Sequence, residues 1–173
     1  MVDLRSLVRE IPDFPRPGIL FRDITPLLLD PQGLDQAVSG LADALGDGAV
    51  DYVVAAEARG FILGAALARE LGAGFVPARK PGKLPADTVS AEYALEYGLD
   101  SLEVHADAMA DGVRVLVHDD LLATGGTARA LCKLVGELGG EIVGCSFLIE
   151  LSALGGRERL APHPVRSLLD FPD

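Results

Sequence analysis

Between Val113 and Leu138 the chain leaves little freedom to its fold. Val113-Arg114-Val115-Leu116-Val117 is a short run rich in valine, the pattern of a buried strand. Two consecutive acids, Asp119 and Asp120, follow it, and then the small residues Ala123-Thr124-Gly125-Gly126-Thr127. Beyond them Leu131, Leu134, Val135 and Leu138 recur at helical spacing before Gly139-Gly140. The run therefore predicts a strand, a glycine-containing turn and a helix, with acids at the carboxyl end of the strand, the edge at which open parallel sheets bind ligands. Unhindered N–H groups at a helix start, two threonine hydroxyls and the positive end of the helix dipole suit a phosphate. Asp119 and Asp120 cannot help to hold an anion. They suit sugar hydroxyls or the water shell of a metal ion, so the loop reads as a site for a phosphorylated sugar. It is neither a Walker A loop nor a dinucleotide fingerprint.

The same alternation extends along the chain. Asp51 to Ala56 reads as a strand and Gly60 to Leu71 as a helix, with Gly74 to Ala78 a further strand. Glu141 to Ile149 and Val165 to Leu169 read as two more strands, with a short helix near Ala153 to Leu160 between them. Gly33 to Leu45 has helical spacing. Leu4 to Ile11 reads as a short amphipathic helix stopped by Pro12, followed by an irregular, proline-rich cap. Arg79 to about Asp111 is a long polar passage, which in a compact domain is usually functional. The expected fold class is α/β, one domain over residues 1–173, with a mainly parallel sheet flanked by helices.

Charge narrows the partners. With 15 Lys plus Arg against 26 Asp plus Glu, the net charge of -11 repels polyanions, and nucleic acid is not expected as a partner. A small phosphorylated substrate then requires locally clustered cations, and Arg79, Lys80 and Lys83 supply such a cluster. Arg59, where a strand hands over to a helix, reads from local sequence alone either as a solvated arginine or as a forked ligand for a phosphate group. Cys132 and Cys145 read as buried free thiols of a reducing cytoplasm. His105, His118 and His163 match no metal-ligand spacing. No apolar run is long enough for a membrane span, so a soluble, cytoplasmic protein is expected.

The run from Val115 to Thr127 resembles the phosphoribosyl pyrophosphate motif of type I phosphoribosyltransferases, with His118 where an aliphatic residue is more usual. Four further blocks resemble the adenine phosphoribosyltransferases in particular: Pro15 to Thr25, Glu57 to Phe61, Arg79 to Pro85 and Tyr93 to Gly98. That resemblance implies the type I phosphoribosyltransferase fold, with a small hood over residues 1–32 and a mobile catalytic loop over residues 83–102. It implies transfer of the 5-phosphoribosyl group from phosphoribosyl pyrophosphate to adenine, giving AMP and pyrophosphate, in a homodimer. Magnesium (Mg2+) would be carried by the donor and not bound directly by the protein, with Asp119 and Asp120 acting on it at most through water.

Residue by residue, the resemblance puts the 5'-phosphate on Ala123, Thr124, Gly125, Gly126 and Thr127, the ribose on Asp119 and Asp120, and the pyrophosphate on Arg59, Arg79, Lys80 and Lys83. Backbone groups of Leu20 and Arg22 would read the adenine edge, with Phe21 and Leu151 on its two faces, although by themselves Phe21 and Leu151 read as core residues. Glu96, Tyr97 and Arg59 are the catalytic candidates, and a non-proline cis peptide is implied between Glu57 and Ala58. Two competing readings remain, transfer to another base and a sensor of phosphoribosyl pyrophosphate without turnover. The hood sequence opposes the first, and the negative charge opposes the second.

Overall fold

The computed structural model describes residues 2–94 and 98–172. A 3-10 turn at Leu4–Leu7 leads into two short strands, β1 (Arg9–Pro12) and β2 (Leu20–Asp23), which pair antiparallel. The expected helix over Leu4 to Ile11 is therefore confined to one turn. Its second half is drawn into a hairpin ladder with the segment just beyond the proline-rich bend, a pairing that overrides helical spacing. Helices α1 (Thr25–Leu29) and α2 (Pro31–Asp43) follow. Asp30 starts α2, its carboxylate accepting from Gly33 N–H at 2.7 Å, with Pro31 supplying a fixed φ in the first turn.

The remaining elements are β3 (Tyr52–Ala56), α3 (Arg59–Glu70), β4 (Gly74–Ala78), β5 (Thr88–Ala94), β6 (Leu99–His105), β7 (Arg114–Leu122), α4 (Gly126–Glu137), β8 (Glu141–Glu150) and β9 (Val165–Asp170). A five-stranded sheet has the order β4-β3-β7-β8-β9. All four of its ladders are parallel, as the alternating pattern predicts. The polar passage after Arg79 is more regular than expected, because β5 and β6 pair antiparallel from Thr88↔His105 to Ala94↔Leu99. In place of the short helix expected near Ala153 to Leu160 there are two 3-10 turns, Ser152–Leu154 and Glu158–Leu160.

Strand alternation sorts the core into two layers. Val53, Leu116 and Leu148 pack with Val38, Leu41, Leu63 and Leu67 of α2 and α3 on one face. Val54, Val117 and Phe147 pack with Leu131 and Leu134 of α4 and with Leu102 and Val104 of β6 on the other. Each such fully buried side chain stabilises the fold by about 1.5–3 kcal/mol. From β3 the chain crosses through α3 to β4 on one side, and from β7 it crosses through α4 to β8 on the other. Right-handed crossovers in opposite directions put α3 and α4 on opposite faces and open a crevice at the carboxyl ends of β3 and β7.

Candidate active site

That crevice is a cleft of about 680 Å³. It is lined by Asp119 and Asp120 at the end of β7, by Ala123 to Ala128, by Arg59 at the start of α3, and by Gly18 to Arg22 and Leu151. The structure thus brings together the acids, the small-residue loop, Arg59, Leu20, Phe21, Arg22 and Leu151. Arg79, Lys80 and Lys83 are not part of this lining. Arg79 instead pairs with Glu57 at 3.2 Å, and Glu57 also accepts from Lys80 N–H at 2.7 Å. Lys80 is further paired with Asp100. Glu96 and Tyr97 lie outside the described residues.

The peptide between Glu57 and Ala58 is cis, as the resemblance implies, and it leads directly into α3. Arg59 Nε lies 3.0 Å from Asp120 Oδ2, with the arginine side chain 40% exposed and the aspartate 6%. The ion pair lacks hydrogen-bond geometry, and among the described residues Arg59 Nη1 and Asp120 Oδ2 are buried without a hydrogen-bond partner. Buried polar groups left in that state are costly and ask for a ligand or water. Phe21 is edge-on to Phe14, and the Arg59 guanidinium lies 4.9 Å from the centre of its ring. The Arg22 side chain turns inward to pair with Glu10 and to cover Phe171, so only its backbone is offered to the cleft.

Close approach of α3 to β7 depends on a missing side chain. A Cβ at Gly60 would stand 2.6 Å from Asp119 Oδ1, so glycine lets that carboxylate sit against the helix. Burial, and next to it the neighbouring Asp120, raises the Asp119 carboxyl well above its ordinary pKa. Burial raises Asp120 too, against the opposing pull of Arg59. A bound cation or sugar hydroxyls would favour the charged acids. These oxygens are of the kind a hard cation takes, though no cluster among the described residues could by itself hold a metal ion.

The phosphate-type loop has a support that the sequence does not announce. Gly125 has φ 83° and stacks on Gly156, whose own added Cβ would stand 2.2 Å from the Ala123 carbonyl. Gly156 is held there through Arg157, whose Nε donates to Glu150 at 2.9 Å and whose Nη1 donates to the Val165 carbonyl at 2.7 Å. The Arg157 guanidinium holds the Glu150 carboxyl below its usual range. Tyr93, the first residue of the Tyr93 to Gly98 block but not among the expected site residues, lines the cleft and donates to Asp100 at 3.1 Å.

His118 is fully buried, and among the described residues neither ring nitrogen has a hydrogen-bond partner. Burial holds its pKa down from 6.5 to about 4. Between those values the unfolded chain binds a proton that the folded chain refuses, so stability declines as pH falls from 6.5 to about 4. The full decline is about 3 kcal/mol. His118→Leu should remove it. Urea midpoints at pH 7 and pH 4.5 should differ less in the variant than in the parent, and equal differences would refute this account.

Comparison with known proteins agrees with the geometry. A family model described as the phosphoribosyl transferase domain matches residues 28–168. The adenine phosphoribosyltransferase of Solibacter usitatus (strain Ellin6076) is 58% identical over 171 residues, covering 99% of this chain and 99% of that one. Among solved structures, the adenine phosphoribosyltransferase from Thermoanaerobacter pseudethanolicus superposes with a TM-score of 0.95 at 54% identity, over 97% of this chain and 98% of that one. The Saccharomyces cerevisiae enzyme, complexed with an imino-altritol bisphosphate and adenine, gives 0.89 at 39% identity over 95% of both chains. Its sheet order, its strand-acid-loop-helix cleft and these near full-length matches place the chain in the adenine phosphoribosyltransferase family of type I phosphoribosyltransferases.

Proposed function

We infer that this chain carries out purine salvage, transferring the 5-phosphoribosyl group from phosphoribosyl pyrophosphate to N9 of adenine and releasing AMP and pyrophosphate. The observation that carries the reading is one cleft in which a helix-start loop, two adjacent acids and a partly unsatisfied arginine converge. Ala123, Thr124, Gly125, Gly126 and Thr127 hold the 5'-phosphate through backbone N–H groups and hydroxyls. Asp119 and Asp120 accept from the ribose hydroxyls. Arg59, still able to donate from Nη1, takes the pyrophosphate oxygens and stabilises charge as they leave.

Asp119 and Asp120 would be the residues to meet a donor-carried magnesium ion (Mg2+), through water, and the ion would supply charge neutralisation for the leaving group. Phe21 and Leu151 sandwich adenine, and backbone groups at Leu20 and Arg22 read its edge. A base presenting an acceptor where adenine donates would leave a buried polar group unpaired, which disfavours guanine. Residues 1–32 serve as the hood over the base, and residues 83–102 as the segment that closes over the anomeric carbon and excludes water. Arg79, Lys80 and Lys83 add positive charge for the pyrophosphate. A cytoplasmic homodimer completes the reading; among the described residues no helix is long and apolar enough to cross a membrane.

Glu96 and Tyr97 are assigned to that closing segment, where Glu96 assists proton loss from adenine or stabilises positive charge on the ribose. Glu96→Gln should lower kcat at least about tenfold with an unchanged circular dichroism spectrum, and parental kcat would remove Glu96 from the chemistry. The function itself is tested by incubating the protein with phosphoribosyl pyrophosphate, magnesium and each purine or pyrimidine base separately. AMP and pyrophosphate from adenine are expected. Product from guanine alone would overturn the base assignment, and no product from any base would leave the sensor reading.

A further inference from the structure

A second groove, of about 610 Å³, runs along the outer side of α4 between Glu92 to Ala94 and Arg159 to His163. Cys132 lines it. Behind Cys132, on β8, lies Cys145, fully buried in the core, and the two sulfurs are 3.7 Å apart. The transfer reaction uses neither thiol. We propose that Cys132 and Cys145 form an oxidisable pair, in which a hydroperoxide entering the groove converts the two thiols into a disulfide joining α4 to β8.

The geometry assigns the two roles. Cys132 is half-buried and reached from the groove, whereas Cys145 is shielded by the sheet and helix. The two sulfurs share a hydrogen bond in which either can donate, and that contact lowers the Cys132 pKa and raises that of Cys145. The thiolate is the nucleophile, so Cys132 is the attacking sulfur and Cys145 the resolving one. Cys132 sulfur attacks one oxygen of the hydroperoxide. An S–O bond forms as the O–O bond breaks, the alcohol leaves with the Cys132 proton, and a sulfenic acid remains. Cys145 sulfur then attacks Cys132 sulfur, displacing hydroxide, which takes the Cys145 proton and departs as water. Two thiols and one hydroperoxide thus give one disulfide, one alcohol and one water. Closing from 3.7 Å to a bond requires each sulfur to move by roughly 0.8 Å, within the reach of small side-chain rotations.

Hydrogen peroxide is the probe. The full-length protein, treated and then freed of peroxide, should lose about 2 Da, yield a Cys132–Cys145 peptide pair on digestion, and recover both thiols with dithiothreitol. Tm should rise by about 5–10 °C in the oxidised form, as expected for a cross-link spanning a short loop. Cys145→Ser should stop at a Cys132 sulfenic acid trapped by dimedone, and Cys132→Ser should stay unmodified. Two free thiols after treatment, a sulfonic acid at Cys132 without cross-linking, or a disulfide between separate chains would each overturn the proposal.

Discussion

Gly156→Ala should leave less than about one per cent of the parental kcat/KM for phosphoribosyl pyrophosphate, although Gly156 is not part of the site first read from the sequence. Its added methyl would stand 2.2 Å from the Ala123 carbonyl oxygen and 3.1 Å from the Gly125 nitrogen. Both are backbone atoms of the loop, so no flexible side chain can yield. Either the loop or the turn bearing Gly156 must shift, and Arg157, clamped to Glu150 and Val165, resists movement of the turn. A displacement of about 1 Å in a substrate-positioning element costs about a hundredfold in rate. Steady-state kinetics with varied donor would show it, beside a circular dichroism spectrum that establishes folding. Gly136→Ala is the control, because a Cβ there meets nothing within 4 Å on helix α4. It should be neutral or stabilising by about 0.4–1 kcal/mol. Gly156→Ala activity within threefold of the parent would mean that the loop is not held from behind.

Arg59→Met should lower kcat/KM by about a hundredfold, equivalent to about 2.7 kcal/mol of transition-state stabilisation, and should also weaken the fold. The double effect follows from position. Arg59 is the cation set against buried Asp120, and its removal leaves two neighbouring carboxyls without that compensation. Uncompensated buried charge costs about 3–5 kcal/mol in a dry interior. Because the Arg59 side chain is 40% exposed, a loss nearer about 1–2 kcal/mol is expected, read as a lower urea midpoint. Lysine at 59 separates the contributions. It restores charge without the planar fork, so stability should recover more than donor KM. Full recovery of both by lysine would show that only net charge matters there.

Much of this site is legible because its chemistry is consecutive in sequence. Asp119, Asp120 and the loop from Ala123 to Thr127 occupy one strand end and one helix start, and the apolar periods on either side reveal both elements. Arg59 is legible by the same logic at the end of β3. What local spacing does not reveal is set by partners outside the element itself. The pairing of β1 with β2 depends on a bend through Phe14 to Gly18, so helical spacing at Leu4 to Ile11 misleads. The β5–β6 ribbon does carry a period-two signal, with Ala91 on one strand and Leu102 and Val104 on the other buried. Polar residues and Gly98 mask it. Gly156 has no local signal at all, since its requirement comes from the Ala123 carbonyl. The cation cluster at Arg79 to Lys83 is legible as charge, but Glu57 and Asp100, which engage two of its members, are found only in three dimensions.

The placement of the crevice ties its two sides to one backbone ladder. Arg59 stands at the end of β3 and the phosphate-type loop at the end of β7, and these strands are direct neighbours in register from Tyr52↔Val115 to Ala55↔His118. Arg59 lies three residues past β3 and the loop begins one residue past β7, so the ladder fixes the spacing of the two strands at about 4.8 Å, while the reach beyond them depends on the Arg59 side chain and the loop. Loop substitutions can alter how tightly either end grips. They leave the strand spacing unchanged, because it rests on the backbone ladder between β3 and β7.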